Sequence, residues 1–273
     1  MARLQPGAFR FVAIGDTGTG GPEQYAIARR MTAFHDERPY GHVLLLGDNI
    51  YPDGDPEGIR PKFEQPYREL LRRGVRFHAV LGNHDVERGR TAQLHYKPFN
   101  MAGRAYYSFT AGDRSCEFFA LDSNDVGAEQ IRWLDCALTA SSARWKIAAL
   151  HHPLYSSAKR HGSDPALRAA LEPLFIRHRI AAVFAGHDHV YERTKIVHGV
   201  QYFVSGAGAK LRSGDIDPRS PFFAAGRDDV NSFMFIEVTA ERFAFWSIDA
   251  AGRILDRGTL DPARAKSEAL QAR

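Results

Sequence analysis

Cysteine is scarce in this sequence, and so are several features that would point to particular classes of protein. Cys116 and Cys136 are its two cysteines. They are too few for a disulfide framework, and we expect both to be buried free thiols. There is no apolar run long enough to span a membrane. No linker, low-complexity tract or repeat divides the 273 residues. We therefore predict one domain over residues 1–262, followed by a C-terminal tail over residues 263–273.

Charge is not concentrated in any one segment. The chain has 36 Lys and Arg against 32 Asp and Glu, a formal net charge of +4, and no basic block. A nucleic-acid-binding surface needs clustered basic residues, so we expect neither a nucleic-acid partner nor a membrane partner. We expect a soluble protein, cytoplasmic as written or exported if a signal peptide was removed. The compartment and the oligomeric state stay open, and a monomer fits the composition.

Short apolar runs of strand length alternate with helix-like segments through most of the chain. The helix-like segments cover residues 22–35, 59–73, 127–141 and 164–179. The strand-like runs cover residues 9–14, 42–46, 77–81, 116–122, 146–150, 180–185 and 200–205. This alternation predicts an α/β fold with buried strands. After residue 230 a two-residue periodicity with turn-like breaks predicts consecutive antiparallel strands, so we expect mixed sheets.

A glycine-rich turn follows the first strand-like run, in the stretch FRFVAIGDTGTGG. A dinucleotide-binding turn would continue Gly18 and Gly20 with a third glycine, but Glu23 stands at that position. A P-loop is excluded because no Gly-Lys-Ser/Thr follows. We infer that the turn presents Asp16, while a nucleotide-binding module stays as a weaker alternative.

Five of the strand-like runs are followed directly by side chains that bind metals. Any one of these side chains could instead belong to an ordinary turn, but five such junctions together indicate a site. The carboxyl ends of strands in an open α/β sheet lie along one edge, so we expect the side chains to meet there. The candidates are Asp16, Asp48, Tyr51, Asn83, His151, His187 and His189.

Oxygen and imidazole ligands without thiolates suit iron, manganese or zinc and argue against a closed structural zinc site. Seven candidates exceed the needs of one ion, so we predict two ions that share a bridging carboxylate. Two ions about 3.5 to 4 Å apart form the clamp used for phosphoryl displacement. The sequence therefore predicts a dinuclear hydrolytic site.

The order and spacing of GDTG, GDNIY, GNHD, HHP and GHDH resemble the metallophosphoesterase superfamily. The tyrosine of GDNIY and the later YFVSGAG resemble the small, single-domain, tartrate-resistant type of purple acid phosphatase. The resemblance covers roughly residues 9 to 210. It implies a four-layer α/β/β/α sandwich of two mixed sheets flanked by helices.

The resemblance also implies how the ligands divide. Asp16, Asp48, Tyr51 and His189 would hold a ferric ion. Asp48 would bridge to Fe(II), Zn(II) or Mn(II) held by Asn83, His151 and His187.

Two further histidines resemble residues near the bound phosphate. His84 matches one of them directly, whereas His161 stands one residue further from the His151 motif than in the relatives. His152 replaces an aromatic residue that is usual in the family, and we expect it to pack under Pro153.

The implied reaction is hydrolysis of phosphate monoesters in small phosphorylated substrates, by in-line attack of a metal-bound hydroxide. His84 or His161 would donate a proton to the leaving oxygen. A phosphodiesterase of the same superfamily is the alternative among enzymes.

Overall fold

A computed structural model describes residue 5 and residues 7–261 of the chain. The tail predicted for residues 263–273 lies outside the described residues. The strands are β1 (Phe9–Ile14), β2 (His42–Leu46), β3 (Arg76–Val80), β4 (Tyr107–Ala111), β5 (Cys116–Ala120), β6 (Trp145–Ala149), β7 (Ala182–Ala185), β8 (Tyr191–Thr194), β9 (Gln201–Ser205), β10 (Phe223–Arg227), β11 (Ser232–Val238), β12 (Phe243–Asp249) and β13 (Ile254–Leu260). The α-helices are α1 (Pro22–Glu37), α2 (Arg68–Arg72), α3 (Asp85–Arg88), α4 (Arg90–His95), α5 (Ala128–Ala140) and α6 (Pro165–Arg177).

The strands form two mixed sheets. The first has the order β13-β12-β11-β1-β2-β3, in which β1, β2 and β3 are parallel and β11 to β13 are antiparallel. The second has the order β10-β8-β9-β7-β6-β5-β4, with a parallel centre of β5, β6, β7 and β9. The antiparallel strands expected after residue 230 are β11, β12 and β13.

Aromatic side chains fill the space between the two sheets. The ring of Phe11 on β1 lies 5.1 Å from that of Phe118 on β5 and 5.9 Å from that of Phe184 on β7. Phe203 on β9 contacts Phe245 on β12 at 4.9 Å between ring centroids. Strands β2 and β7 are buried along their whole length, which explains why their sequences are apolar runs rather than alternating ones.

Helices cover the outer face of each sheet. Phe34 of α1 packs on Phe233 and Phe235 of β11 in the first sheet. Leu134 of α5 and Phe175 of α6 join the apolar cluster beneath the second sheet. The four-layer α/β/β/α sandwich is therefore confirmed. No helix in the described part of the chain combines the length and the hydropathy needed to cross a membrane.

Two local expectations are wrong. The helix expected over residues 59–73 is broken into a π-type turn at Arg60–Glu64 and the short helix α2. Pro61 and Pro66 explain the break, since proline removes a backbone donor and clashes with the preceding turn. Cys136 is exposed, whereas Cys116 is buried. The apolar face of α5 is formed by Leu134 and Leu138, and Cys136 lies between them in sequence on the opposite side of the helix.

Candidate metal centre

The predicted ligands meet where the carboxyl ends of strands from both sheets come together, and not along the edge of one sheet. Strands β1, β2 and β3 of the first sheet and strands β6 and β7 of the second lead into them. Asp16, Asp48 and His187 adopt left-handed backbone conformations, with φ of 57°, 50° and 70°. Such conformations are uncommon outside glycine and concentrate at functional sites.

Two glycines of these motifs, Gly82 and Gly18, have a steric reason because neighbouring loops touch at their positions. A Cβ at Gly82 would lie 2.1 Å from Oδ1 of Asp48, so only glycine lets the β3 loop approach that carboxylate. A Cβ at Gly18 would lie 2.0 Å from the carbonyl oxygen of Asn49. The opening glycine turn thus packs against the loop that carries Asp48, which fits a role in presenting Asp16.

One half of the site consists of Asp16, Tyr51 and His189. The Tyr51 hydroxyl donates to Oδ1 of Asp16 at 3.1 Å and lies 3.2 Å from Nε2 of His189. The same nitrogen is 3.6 Å from Oδ1 of Asp16. The second oxygen of Asp16 accepts the backbone N–H of His187 at 2.9 Å, which fixes the carboxylate. An oxygen, a phenol and an imidazole therefore converge on one point.

The other half consists of Asn83, His151 and His187. Oδ1 of Asn83 lies 3.1 Å from Nε2 of His151 and 3.1 Å from Nδ1 of His187, and these two nitrogens are 3.3 Å apart. Nδ1 of His151 donates to the Leu46 carbonyl at 2.8 Å, so its Nε2 presents a lone pair to the site. Metal-binding histidines usually donate a hydrogen bond from the ring nitrogen that does not face the metal.

Asp48 lies between the two halves. Its Oδ1 is 3.5 Å from Nε2 of His151 and accepts the backbone N–H of His84 at 3.2 Å. Ligand atoms of Asp16, Asp48 and His151 all lie within 4.8 Å of one another. Asp48 is thus placed to contact ions on both sides.

The electrostatics of the centre fit a cation. Burial raises the pKa of Asp16 well above its ordinary value, and the Asp48 carboxylate raises it further. Burial lowers the pKa of His187 to about 2 and that of His151 well below its usual range. The imidazoles are therefore neutral, as metal ligands must be. No Lys or Arg of the described residues forms an ion pair with Asp16 or Asp48. A metal ion would supply a compensating charge.

His84 borders the centre. Nδ1 of its ring donates to the Pro52 carbonyl, and Nε2 lies 3.9 Å from Oδ2 of Asp48. About a third of its side chain is exposed, with the ring edge against Tyr51. His84 can therefore reach a group bound on the metals without taking a ligand position.

His161 lies at the outer rim. Its ring centroid is 4.4 Å from that of His187, and the residue is exposed. Burial, followed by the charges of Arg212 and Arg160, lowers the pKa of His161. The imidazole of His161 therefore lies beside the site.

His152 is half-buried and packs its ring on His187 at 4.4 Å. The Ser123 hydroxyl accepts the backbone N–H groups of His151 and His152 at 3.2 and 3.0 Å and lies 2.9 Å from Nδ1 of His152. Since both lone pairs of the hydroxyl are used, it donates to Nδ1, and the ring proton is on Nε2. A ring nitrogen of His152 lies within 4.8 Å of ligand atoms of His151 and His187. In this tautomer, however, His152 is a donor and not a ligand.

Asp85 is a buried carboxylate that the sequence interpretation missed. It accepts the backbone N–H groups of Asn49, Ile50 and Gly82 at 3.0, 3.0 and 2.8 Å, and a side-chain N–H of Gln93 at 2.8 Å. Burial raises its pKa to about 6. Asp85 joins the loops that carry Asp48 and Asn83. The sequence signal for Asp85 was its position as the last residue of the GNHD motif.

Lys210 is a second residue that was missed. Its Nζ lies 3.9 Å from the centroid of the Tyr51 ring. Burial, and then the charges of Lys210 and Arg212, lower the pKa of His189 to about 4. Nothing in the local sequence around Lys210 indicates that it lies near Tyr51.

The two-sheet sandwich and this cluster of candidate ligands point to the metallophosphoesterase class of protein. The calcineurin-like phosphoesterase family model matches residues 9–191, and the chain belongs to that family. It is 26% identical over 290 residues to purple acid phosphatase 7 of Arabidopsis thaliana, covering 95% of this chain and 88% of the relative. It is 27% identical over 302 residues to human tartrate-resistant acid phosphatase type 5, covering 95% and 92%.

Solved structures show the same fold. The purple acid phosphatase PPD1 from yellow lupin seeds superposes with a TM-score of 0.79 at 18% identity, covering 96% of this chain and 56% of that one. GAP50, described as the anchor in the inner membrane complex of Plasmodium, also gives 0.79 at 18% identity, covering 96% and 93%. Because the fold occurs in a protein described as an anchor, function must be argued from the site.

Proposed function

We propose that this protein is a phosphatase that hydrolyses phosphate monoesters at a dinuclear centre. Asp16, Tyr51 and His189 would hold Fe(III), and Asn83, His151 and His187 would hold Fe(II), Zn(II) or Mn(II), with Asp48 shared. The observation that carries the proposal is the convergence of these two donor sets on either side of Asp48. The single phenol lies in one half, which makes that half the harder, more oxidised position.

Two bound ions would lower the pKa of a water molecule that attacks phosphorus and would offset charge on the phosphoryl oxygens. The chain's own residues supply the rest. The Leu46 carbonyl and the His187 amide hold His151 and Asp16 in orientation. The Pro52 carbonyl fixes His84 with Nε2 directed at the site, so His84 is placed to orient phosphate or to protonate the leaving oxygen.

Monoesters are favoured over diesters because of charge. Two aspartates and one tyrosinate leave a ferric and a divalent ion only partly neutralised, and Lys210 adds a cation beside Tyr51. A monoester dianion gains more from such a site than a diester monoanion. Human tartrate-resistant acid phosphatase type 5, a 27% identical relative, supports the acid phosphatase assignment by its name.

The test compares kcat/KM for phenyl phosphate and diphenyl phosphate across pH 4 to 9, on protein whose metal content has been measured. We expect about two metal atoms per chain and a monoester preference that is largest on the acidic side of neutrality. A diester preference at every pH would replace this proposal with a phosphodiesterase. Protein that binds no metal and hydrolyses neither ester would exclude both.

A further inference from the structure

Two loops form one side of the candidate metal centre and are fastened to each other. One follows β6 and carries Arg160 and His161, and the other follows β9 and carries Lys210 and Arg212. Asp215 joins them, since its carbonyl and its Oδ1 accept the backbone N–H groups of Lys159 and Arg160 at 2.8 and 3.0 Å. We call Arg160, Lys210 and Arg212 the cationic wall.

The cationic wall carries more positive charge than its own neighbours neutralise. Nη1 of Arg212 lies 3.8 Å from Oδ2 of Asp215, and in the described residues neither atom has a hydrogen-bond partner. Lys210 is half-buried on the Tyr51 ring, and no carboxylate of the described residues forms an ion pair with it. Arg160 is exposed beside His161. Asp188 also interacts with Arg212, so two carboxylates act against the three cations of the wall.

This charge lies to one side of the position where the scissile phosphate would bind. Lys210 contacts Tyr51, which belongs to one half of the donor set, whereas Asp48 lies between the two halves. A phosphate held between the two halves is already met by the metals and by His84. The excess charge lies beside Tyr51 and the exposed His161, where it could meet the part of the substrate that is attached to that phosphate.

We propose that the cationic wall, and Lys210 in particular, selects phosphomonoesters whose alcohol part carries a second anionic group. This inference rests on the proposed function. It assigns Lys210 as a specificity-determining residue that binds the second anion directly. If Lys210 served only as a cation–π contact for Tyr51, its removal would lower kcat/KM for all substrates by the same factor.

The experiment uses a matched pair of substrates, carboxyphenyl phosphate and carbamoylphenyl phosphate, each as the meta and para isomers. The two have nearly the same shape and differ by one negative charge. The carboxylate is the weaker electron-withdrawing group, so leaving-group chemistry does not favour it. We expect the wild-type, metal-loaded protein to show kcat/KM about fivefold to tenfold higher for the carboxylate, and this preference to shrink at high salt.

Three variants locate the preference. Lys210→Met keeps the aliphatic stem on Tyr51 and should abolish most of the preference, while Lys210→Arg should retain it. Lys195→Met is the matched control, because Lys195 lies at the far end of β8 and donates to the Pro221 carbonyl. Metal content is measured for each variant. A preference that survives intact in Lys210→Met would overturn the assignment.

A binding measurement separates this inference from the proposed function. Calorimetry with carboxybenzylphosphonate and carbamoylbenzylphosphonate reports charge selection without turnover. Tighter binding of the carboxylate, lost in Lys210→Met, supports the cationic wall even if no ester is hydrolysed. Suppose that both esters are hydrolysed with equal kcat/KM and that both phosphonates bind with equal affinity. This result would overturn the proposed role of the cationic wall, and the phosphatase proposal would stand.

Discussion

Glu192 offers a test of the electrostatics behind the centre that does not depend on bound metal. Its carboxylate is fully buried on β8 and accepts the backbone N–H and the hydroxyl of Ser157 at 2.7 and 2.6 Å. Burial raises its pKa from 4.5 to about 7, and the neighbouring Asp188 adds to the rise. The folded protein therefore holds Glu192 protonated at pH values where the unfolded chain has released the proton.

The sign of the pH dependence follows. Because the folded-state pKa of Glu192 is raised, its contribution to the free energy of unfolding is complete when the pH is below the unfolded-state pKa. This contribution is lost as pH rises from 4.5 to about 7. At 1.36 kcal/mol per pKa unit, the loss is about 3 kcal/mol. Glu192→Gln resembles the protonated side chain, so it should leave the free energy of unfolding unchanged near pH 4 and raise it by about 3 kcal/mol at pH 8.

The assay is denaturant unfolding of chelated protein at both pH values, for the wild type and for Glu192→Gln. Glu241→Gln serves as the control, because Glu241 is exposed in the turn between β11 and β12. The control should follow the wild type at both pH values. If Glu192→Gln is no more stable than the wild type at pH 8, the raised pKa of Glu192 is wrong and so is the reasoning from burial.

Other predictions concern the metal ligands and the rim. Iron-loaded, oxidised protein should be pink to purple through phenolate-to-iron charge transfer, and Tyr51→Phe should bleach it without unfolding it; colourless wild-type protein with stoichiometric ferric iron would exclude the tyrosine as a ligand. Asp48→Ala should lose metal and activity together, because the bridging carboxylate offsets both cations. His84→Ala should keep both metals and lose a factor of about 10² to 10⁴ in kcat, so metal-depleted His84→Ala protein would make it a ligand instead. His161→Ala should keep its metals and lower kcat/KM about tenfold, and an unchanged kcat/KM would exclude a part for His161 in the reaction.

The strands and the polar side chains that follow them could be predicted because each depends on local sequence. Apolar runs of five or six residues mark β1, β2 and β3, and the polar side chains that follow them must lie at the carboxyl ends. The position of Lys210 could not be predicted in the same way, because it depends on how one loop packs against another and this packing leaves no local pattern. Asp85 ends the GNHD motif, but the two loops that it joins are known only from the folded structure.

The errors have physical causes of the same kind. The segment over residues 59–73 has the apolar spacing of a helix, but Pro61 and Pro66 outweigh it. Cys136 is exposed because the opposite face of α5 packs on the sheet, and the presence of a cysteine does not indicate which face that is. The meeting of ligands from two sheets, rather than at one edge, depends on long-range topology.

The location of the centre between the sheets links metal supply to folding. Asp16 belongs to the first sheet and His187 to the second, and they are 171 residues apart in sequence. Two metal ions bound there would connect the two sheets, and only the folded chain brings their ligands together. At a free metal concentration a thousand times the dissociation constant, this adds about 4 kcal/mol to the free energy of unfolding. Metal starvation would therefore lower the amount of folded protein in a cell as well as its activity.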